Sequence, residues 1–132
     1  QALRASEEPL AALEALDRSH AYVSYQDVFA SPFFSRSYER YLKAETLAEL
    51  GRFEEAIRWF SSFAELSFWD VAFLAPSFYR RAQIYDQLGR ENEAKASYEE
   101  FLRLWADAEP ELQDWIGRAE SRVSELAKRP AG

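Results

Sequence analysis

Residues Glu49–Phe60 read ELGRFEEAIRWF, and residues Gln87–Tyr98 read QLGRENEAKASY. Leu, Gly, Arg, Glu and Ala recur at the same relative places, with Gly51 and Gly89 offset by 38 residues. Around each glycine the apolar residues follow a helical rhythm. Tyr41, Ala44, Leu47, Ala48 and Leu50 precede Gly51, and Phe53, Ala56, Ile57, Phe60 and Phe63 follow it, with Ala64 extending the stripe. Tyr79, Ala82, Tyr85 and Leu88 precede Gly89, and Ala94, Tyr98, Phe101, Leu102 and Trp105 follow it. Spacing by three and four defines one buried helix face. A glycine just past a helix takes the left-handed conformation that ends it. Each unit therefore reads as two antiparallel helices joined by a tight turn. One such pair cannot bury its apolar face alone, whereas stacked copies can.

The flanks extend the scheme. Ser6 reads as a helix cap, followed by Glu7 and Glu8, with Leu10, Leu13 and Leu16 facing inward. Residues 1–31 read as a partial repeat and an ordered loop, 32–66 and 67–106 as two repeats, and 107–132 as a capping helix and tail. Ser31-Pro32 reads as a helix start. The stretch from Ser67 to Pro76 reads as irregular, with at most one helical turn and the next helix starting near Pro76. A last helix is expected from about Pro110 to Ala127, with Leu112, Trp115, Ile116, Ala119, Val123 and Leu126 inward. The fold class is all-α, a single domain of stacked antiparallel helical hairpins with a C-terminal capping helix.

These residues resemble the tetratricopeptide repeat (TPR) family. The turn glycine matches Gly51 and Gly89, and the small residue of the first helix matches Ala44 and Ala82. The alanine early in the second helix matches Ala56 and Ala94, and the aromatic four residues later matches Phe60 and Tyr98. The resemblance covers roughly residues 37–106 and implies an α-solenoid. Three features depart from the pattern. The spacing is 38 rather than about 34 residues. The tryptophan common in the first helix is replaced by Arg40 and Phe78. The closing proline is absent near Phe68. The ending FLRLWADAEPELQ, residues 101–113, is also similar to the repeat regions of larger bacterial signalling and regulatory proteins.

Composition narrows the chemistry. The chain has no cysteine and one histidine, His20, so thiol nucleophiles, disulfides and a thiolate–imidazole metal site have no residues to use. Adjacent acids such as Glu54-Glu55 and Glu99-Glu100 point about 100° apart on a helix and make no carboxylate dyad. Acids four residues before a base, Glu39–Lys43, Glu54–Arg58, Glu91–Lys95, Glu99–Arg103, Asp114–Arg118 and Glu125–Arg129, read as a solvated helix face. Isolated glycines form no phosphate loop. A net charge of −7 disfavours nucleic acid and anionic membrane. No enzyme, cofactor or metal is expected. The absence of a signal sequence and of cysteines points to the cytoplasm.

The resemblance implies a protein-interaction module that holds a peptide or partner segment on a concave face. Its groove positions fall on Tyr38, Tyr41, Glu45, Tyr79, Arg80, Gln83 and Gln87, and no lysine–asparagine carboxylate clamp is matched there. Trp59 and Trp69 are candidate interface anchors, because exposed tryptophans often carry binding energy. The alternative is self-association, as a homodimer or against other parts of a parent chain.

Overall fold

The computed structural model describes residues 9–18, 35–63, 65, 67–106 and 112–129. Among them are six α-helices and no strand. They are α1 (Pro9–Arg18), α2 (Ser37–Glu49), α3 (Phe53–Phe60), α4 (Val71–Gln87), α5 (Glu91–Leu104) and α6 (Gln113–Ala127). The chain divides into two compact units, Gln1–Leu74 and Ala75–Gly132. In the first, α1 packs on α2 and α2 on α3; in the second, α5 packs on α6.

The two turn glycines behave as their position demands. Gly51 has φ 73° and Gly89 φ 70°. The Arg52 amide donates to the Leu47 carbonyl (2.9 Å) and the Gly51 amide to Ala48 (3.0 Å). Arg90 to Tyr85 (2.8 Å) and Gly89 to Asp86 (3.1 Å) repeat the pattern. This pair of bonds satisfies carbonyls that a helix end otherwise leaves bare. The next helix starts at once, with the Ala56 and Ala94 amides reaching back to Arg52 and Arg90, each at 3.0 Å. The same arginines then reach forward. Arg52 forms a two-pronged pair with Glu55, 2.7 Å on each arm, and Arg90 Nε donates to Glu93 (2.9 Å). The repeated Gly-Arg-x-x-Glu thus ends one helix and opens the next.

Each helix of the two hairpins carries one fully enclosed alanine. Ala44, Ala56, Ala82 and Ala94 have no exposed surface. Larger rings fill the space beside them. Tyr79 lies 5.8 Å from Tyr98 and 5.0 Å from Phe101, which closes α4 onto α5. Phe60 and Phe101 are fully buried, each a burial of about 1.5–3 kcal/mol. In α1, Ala12 and Leu13 are buried, while Leu10 is 63% exposed rather than inward. Leu88 and Trp115, also read as inward, are 39% and 36% exposed. Leu88 sits in the turn, beyond the last residue of α4.

The main correction concerns α4. It begins at Val71, five residues before the expected start, and Pro76 lies inside it. Proline denies the Ala72 carbonyl its helical donor, a strong reason to place a helix start there. Packing overrides it. Phe73 stacks 5.4 Å from Tyr41 and 5.9 Å from Phe63, and Leu74 and Ala75 are buried. α6 runs from Gln113 to Ala127, ending at the expected residue, while the expected start at Pro110 lies outside the described residues. The proposed caps at Ser6 and Ser31-Pro32, the loop 19–31 with His20, Ala64 and residues 107–111 lie outside the described residues.

Two predictions follow from this geometry. An added Cβ at Gly51 or Gly89 would meet no atom within 4 Å, so Gly→Ala is opposed by the backbone alone. Each substitution is expected to lower stability by about 1 kcal/mol in urea denaturation. Ala56→Trp and Ala94→Trp overfill closed crossings and are expected to lose about 3 kcal/mol or more, read by the same melt.

Candidate functional site

The sequence-selected residues divide between the two units. In the first, α2 carries Tyr38, Tyr41 and Glu45. Tyr38 is 47% exposed, with its ring 6.4 Å from Phe73. Tyr41 is half-buried and enclosed by rings, edge-on to Phe60 at 5.4 Å and to Phe63 at 6.2 Å. Glu45 is buried. Tyr38 and Tyr41 thus share Phe73, and only Tyr38 presents a ring to solvent. In the second unit, Tyr79 is buried, with Trp115 4.8 Å away on the side of α6. Arg80 Nη1 donates to Gln83 Oε1 (2.5 Å), and Gln87 is exposed at the end of α4.

The two tryptophans have different settings. Trp59 is half-buried beneath the Lys43 ammonium, 4.3 Å from its ring, and Lys43 also pairs with Asp17. Trp69 is half-buried and packs edge-on against Phe68 at 5.0 Å. Phe68 is 79% exposed and Val71 54%. An aromatic side chain of this size is more often buried. Phe68 instead occupies the turn before α4, with its neighbours Trp69 and Asp70 turned inward. The helical period that marks inward residues does not extend to a turn.

A buried polar network holds this turn in place. Arg40 pairs with Asp70, donates from Nη1 to the Ser62 carbonyl (2.9 Å), and donates from Nε to the Ser35 carbonyl (3.1 Å). The Ser37 hydroxyl donates to Asp70 Oδ1 (2.5 Å), and the Arg40 guanidinium lies 4.7 Å over the Phe63 ring. Arg40 therefore ties the start of α2 to the end of α3 and the start of α4, at the place where the related pattern has tryptophan. Arg36, just before α2, has φ 50°, the one positive value among described residues other than glycine. Asp70 is itself a residue type favoured before a helix, and it was the signal for the earlier start of α4.

The second unit has a matching clamp. Arg122 on α6 grips Asp86 on α4 with two bonds, Nε to Oδ2 (2.9 Å) and Nη2 to Oδ1 (3.0 Å), and Nη1 donates to Glu125 (2.7 Å). The Tyr98 hydroxyl donates to Asp86 Oδ2 (3.2 Å). Burial first, then the Asp86 charge, pushes the Tyr98 hydroxyl above the usual tyrosine value. The bonds to Asp86, then to Glu125, hold the Arg122 proton more firmly still. Arg129 at the far end of α6 pairs with Glu91 on α5, not with a neighbour on its own helix. These groups hold helices together. Among the described residues no three metal-ligating side chains converge, and no helix is long and apolar enough to cross a membrane.

Residues 40–67 and 75–104 match the sequence model of the tetratricopeptide repeat. The two segments fall on the α2–α3 and α4–α5 hairpins, so these hairpins are similar to tetratricopeptide repeats. No curated protein and no solved structure matches the chain. Repeats of this type serve in general as protein–protein interaction modules and are typically non-catalytic.

The clamps and turns can be tested separately. Arg122→Ala is expected to loosen α6 and cost about 1–2 kcal/mol, reduced from a fully buried pair because its side chain is 28% exposed. The Arg52 bond holds the Glu55 carboxyl below its ordinary value, and the Arg90 bond does the same for Glu93. A depressed carboxyl contributes fully above the ordinary value and loses its contribution as pH falls through the folded one. Carbon-detected NMR titration should place both midpoints below that of an unpaired glutamate. Arg52→Gln and Arg90→Gln should raise each midpoint toward the ordinary value.

Proposed function

We propose that the chain is a non-catalytic docking module that holds a peptide or extended partner segment against its repeats. The carrying observation is the exposure of Tyr38, Phe68 and Val71 in the first unit, with Phe68 packed edge-on against Trp69. Exposed rings at the edge of a stable core are costly unless a partner covers them, and aromatic anchors dominate binding energy. The repeat match supports the same reading. Tyr38 lies at a groove position of the family, with its ring 6.4 Å from Phe73. Tyr41, Glu45 and Tyr79 act beneath the surface, shaping it rather than touching a ligand. In the second unit, considered by itself, Arg80, Gln83 and Gln87 are the polar groove positions on α4. A net charge of −7 favours a basic segment over an acidic one at this aromatic surface. A place within a larger bacterial regulatory or signalling protein belongs to the same proposal, on the likeness of residues 101–113.

Self-association is the second reading, favoured by the same Phe68 exposure, since a second copy could cover it. Sedimentation over a hundredfold concentration range separates the two. A monomer at all concentrations supports docking; a dimer abolished by Phe68→Ala supports self-association. For docking, Tyr38→Ala with Phe68→Ala is expected to leave the melt within about 1 kcal/mol. It should weaken an identified partner by tenfold or more in calorimetric titration. Unchanged affinity would reject this surface.

A further inference from the structure

Helix α6 is held to the second unit by few apolar contacts. It buries Ala119 and Leu126, with Ile116 and Val123 half-buried and most of its other residues exposed. By contrast α5 buries Ala94, Ser97, Tyr98 and Phe101. Rings and charges supply the rest of the hold on α6. Trp115 lies 4.8 Å from Tyr79 and 6.3 Å from Trp105, Arg122 grips Asp86, and Arg129 pairs with Glu91. The helix is also weak in itself. Leu112 at its N-cap offers no side-chain acceptor to the bare amides of the first turn. Gly117 lies in its interior, where glycine is the poorest helix former after proline. An added Cβ there would meet no atom within 4 Å, so packing does not require the glycine. Segments with little buried apolar area open locally before the rest of a fold does.

The surface beneath α6 keeps its shape without it. The Tyr98 hydroxyl on α5 donates to Asp86 Oδ2 on α4 (3.2 Å), so this carboxylate stays oriented when Arg122 leaves. Tyr79 is likewise held by Tyr98 and Phe101 of α5. Ring and carboxylate form a receptor built by α4 and α5 alone. Its occupant in the folded chain shows what it accepts. Trp115, Ala119, Arg122 and Leu126 follow at spacings of four, three and four, which places them on one helix face. We propose that this surface is a second docking site, filled by α6 in the resting chain and taken over by an amphipathic helix of a partner protein. That helix carries an aromatic residue, then a small residue, an arginine and an aliphatic residue at the spacings of α6. It is basic in excess, because the receptor offers Asp86 and Glu91 and the chain carries a net charge of −7. The site lies wholly within the second unit and does not rest on the aromatic surface of the first.

The test uses the full chain and one probe, a fluorophore-labelled peptide of residues 112–129 with its ends acetylated and amidated. In hydrogen exchange of the chain alone, the amides of α6 are expected to exchange at least tenfold faster than those of α5. Exchange in α6 should quicken further in about 0.5 M salt, which screens its ion pairs. Gly117→Ala should slow α6 about fivefold and leave α5 unchanged. In fluorescence anisotropy, the Arg122→Ala chain should bind the probe at least tenfold more tightly than the unaltered chain, because a larger fraction has α6 open and Asp86 unoccupied. Adding Gly117→Ala to that chain should weaken capture about fivefold. A probe carrying Arg122→Ala or Trp115→Ala should bind it at least tenfold more weakly than the unaltered probe. Three results overturn the proposal: α6 protected as well as α5, no capture of the probe at millimolar concentration by the Arg122→Ala chain, or equal capture of the altered probes. A dimer that persists in Phe68→Ala and is dissolved by excess probe would assign the surface to α6 of a second copy, and that too overturns the partner-helix reading. None of these readouts depends on Tyr38, and the one that uses Phe68 excludes its contribution, so this site and the first docking surface stand or fall separately.

Discussion

The close approach of helices at alanine is the constraint on which the structure depends. Ala44, Ala56, Ala82 and Ala94 are sealed. A methyl group is all that these positions can hold, and it lets bulky rings close from both sides. Tyr41 and Phe60 do so in the first unit, Tyr79, Tyr98 and Phe101 in the second. The turn glycines matter because they set where one helix ends and the next begins, and so which alanine meets the neighbouring helix. The arginine that follows each glycine adds a local pair that repeats this register. Sequence, turn and crossing therefore express one geometrical requirement.

Beyond the hairpins, each unit is closed by an arginine acting over a long sequence distance. Arg40 reaches Ser62 and Asp70, and Arg122 reaches Asp86. Both are partly screened from solvent, and both take several oxygens, the arrangement in which a charged hydrogen bond is strongest. The first frees the Phe68 turn to stand outward without loosening the core beneath it. The second fixes α6, so that Trp115 can lie between Tyr79 and Trp105 while keeping an edge in water. Specific polar pairing thereby makes apolar surface available on an otherwise solvated molecule.

The hairpins were legible because their signals are local. A period of three and four, a glycine and an alanine at fixed offsets all lie within one or two turns of helix. The candidate surface was legible only in part. Of the residues read as groove positions, Tyr38 is exposed, Tyr41 is half-buried and Glu45 and Tyr79 are buried, since position on a helix does not reveal what packs above it. The start of α4 was hidden by Pro76, whose local preference is outweighed by Phe73 packing. Arg40 and Arg122 gave no sign, because partners 30 and 36 residues away leave no periodic trace.

Pro76 divides α4 into segments with different supports. The turn before it is held through Phe73 and the rings of α2 and α3, while the turns after it are held through Tyr79 and the rings of α5. With no amide at Pro76 to bridge the ladder, backbone protection along this one helix reports on two separate sets of contacts. Deuterium uptake by the amides of residues 71–74 follows the integrity of the Phe73 cluster, and uptake beyond residue 77 follows that of the Tyr79 cluster. A single rod thus serves as two gauges.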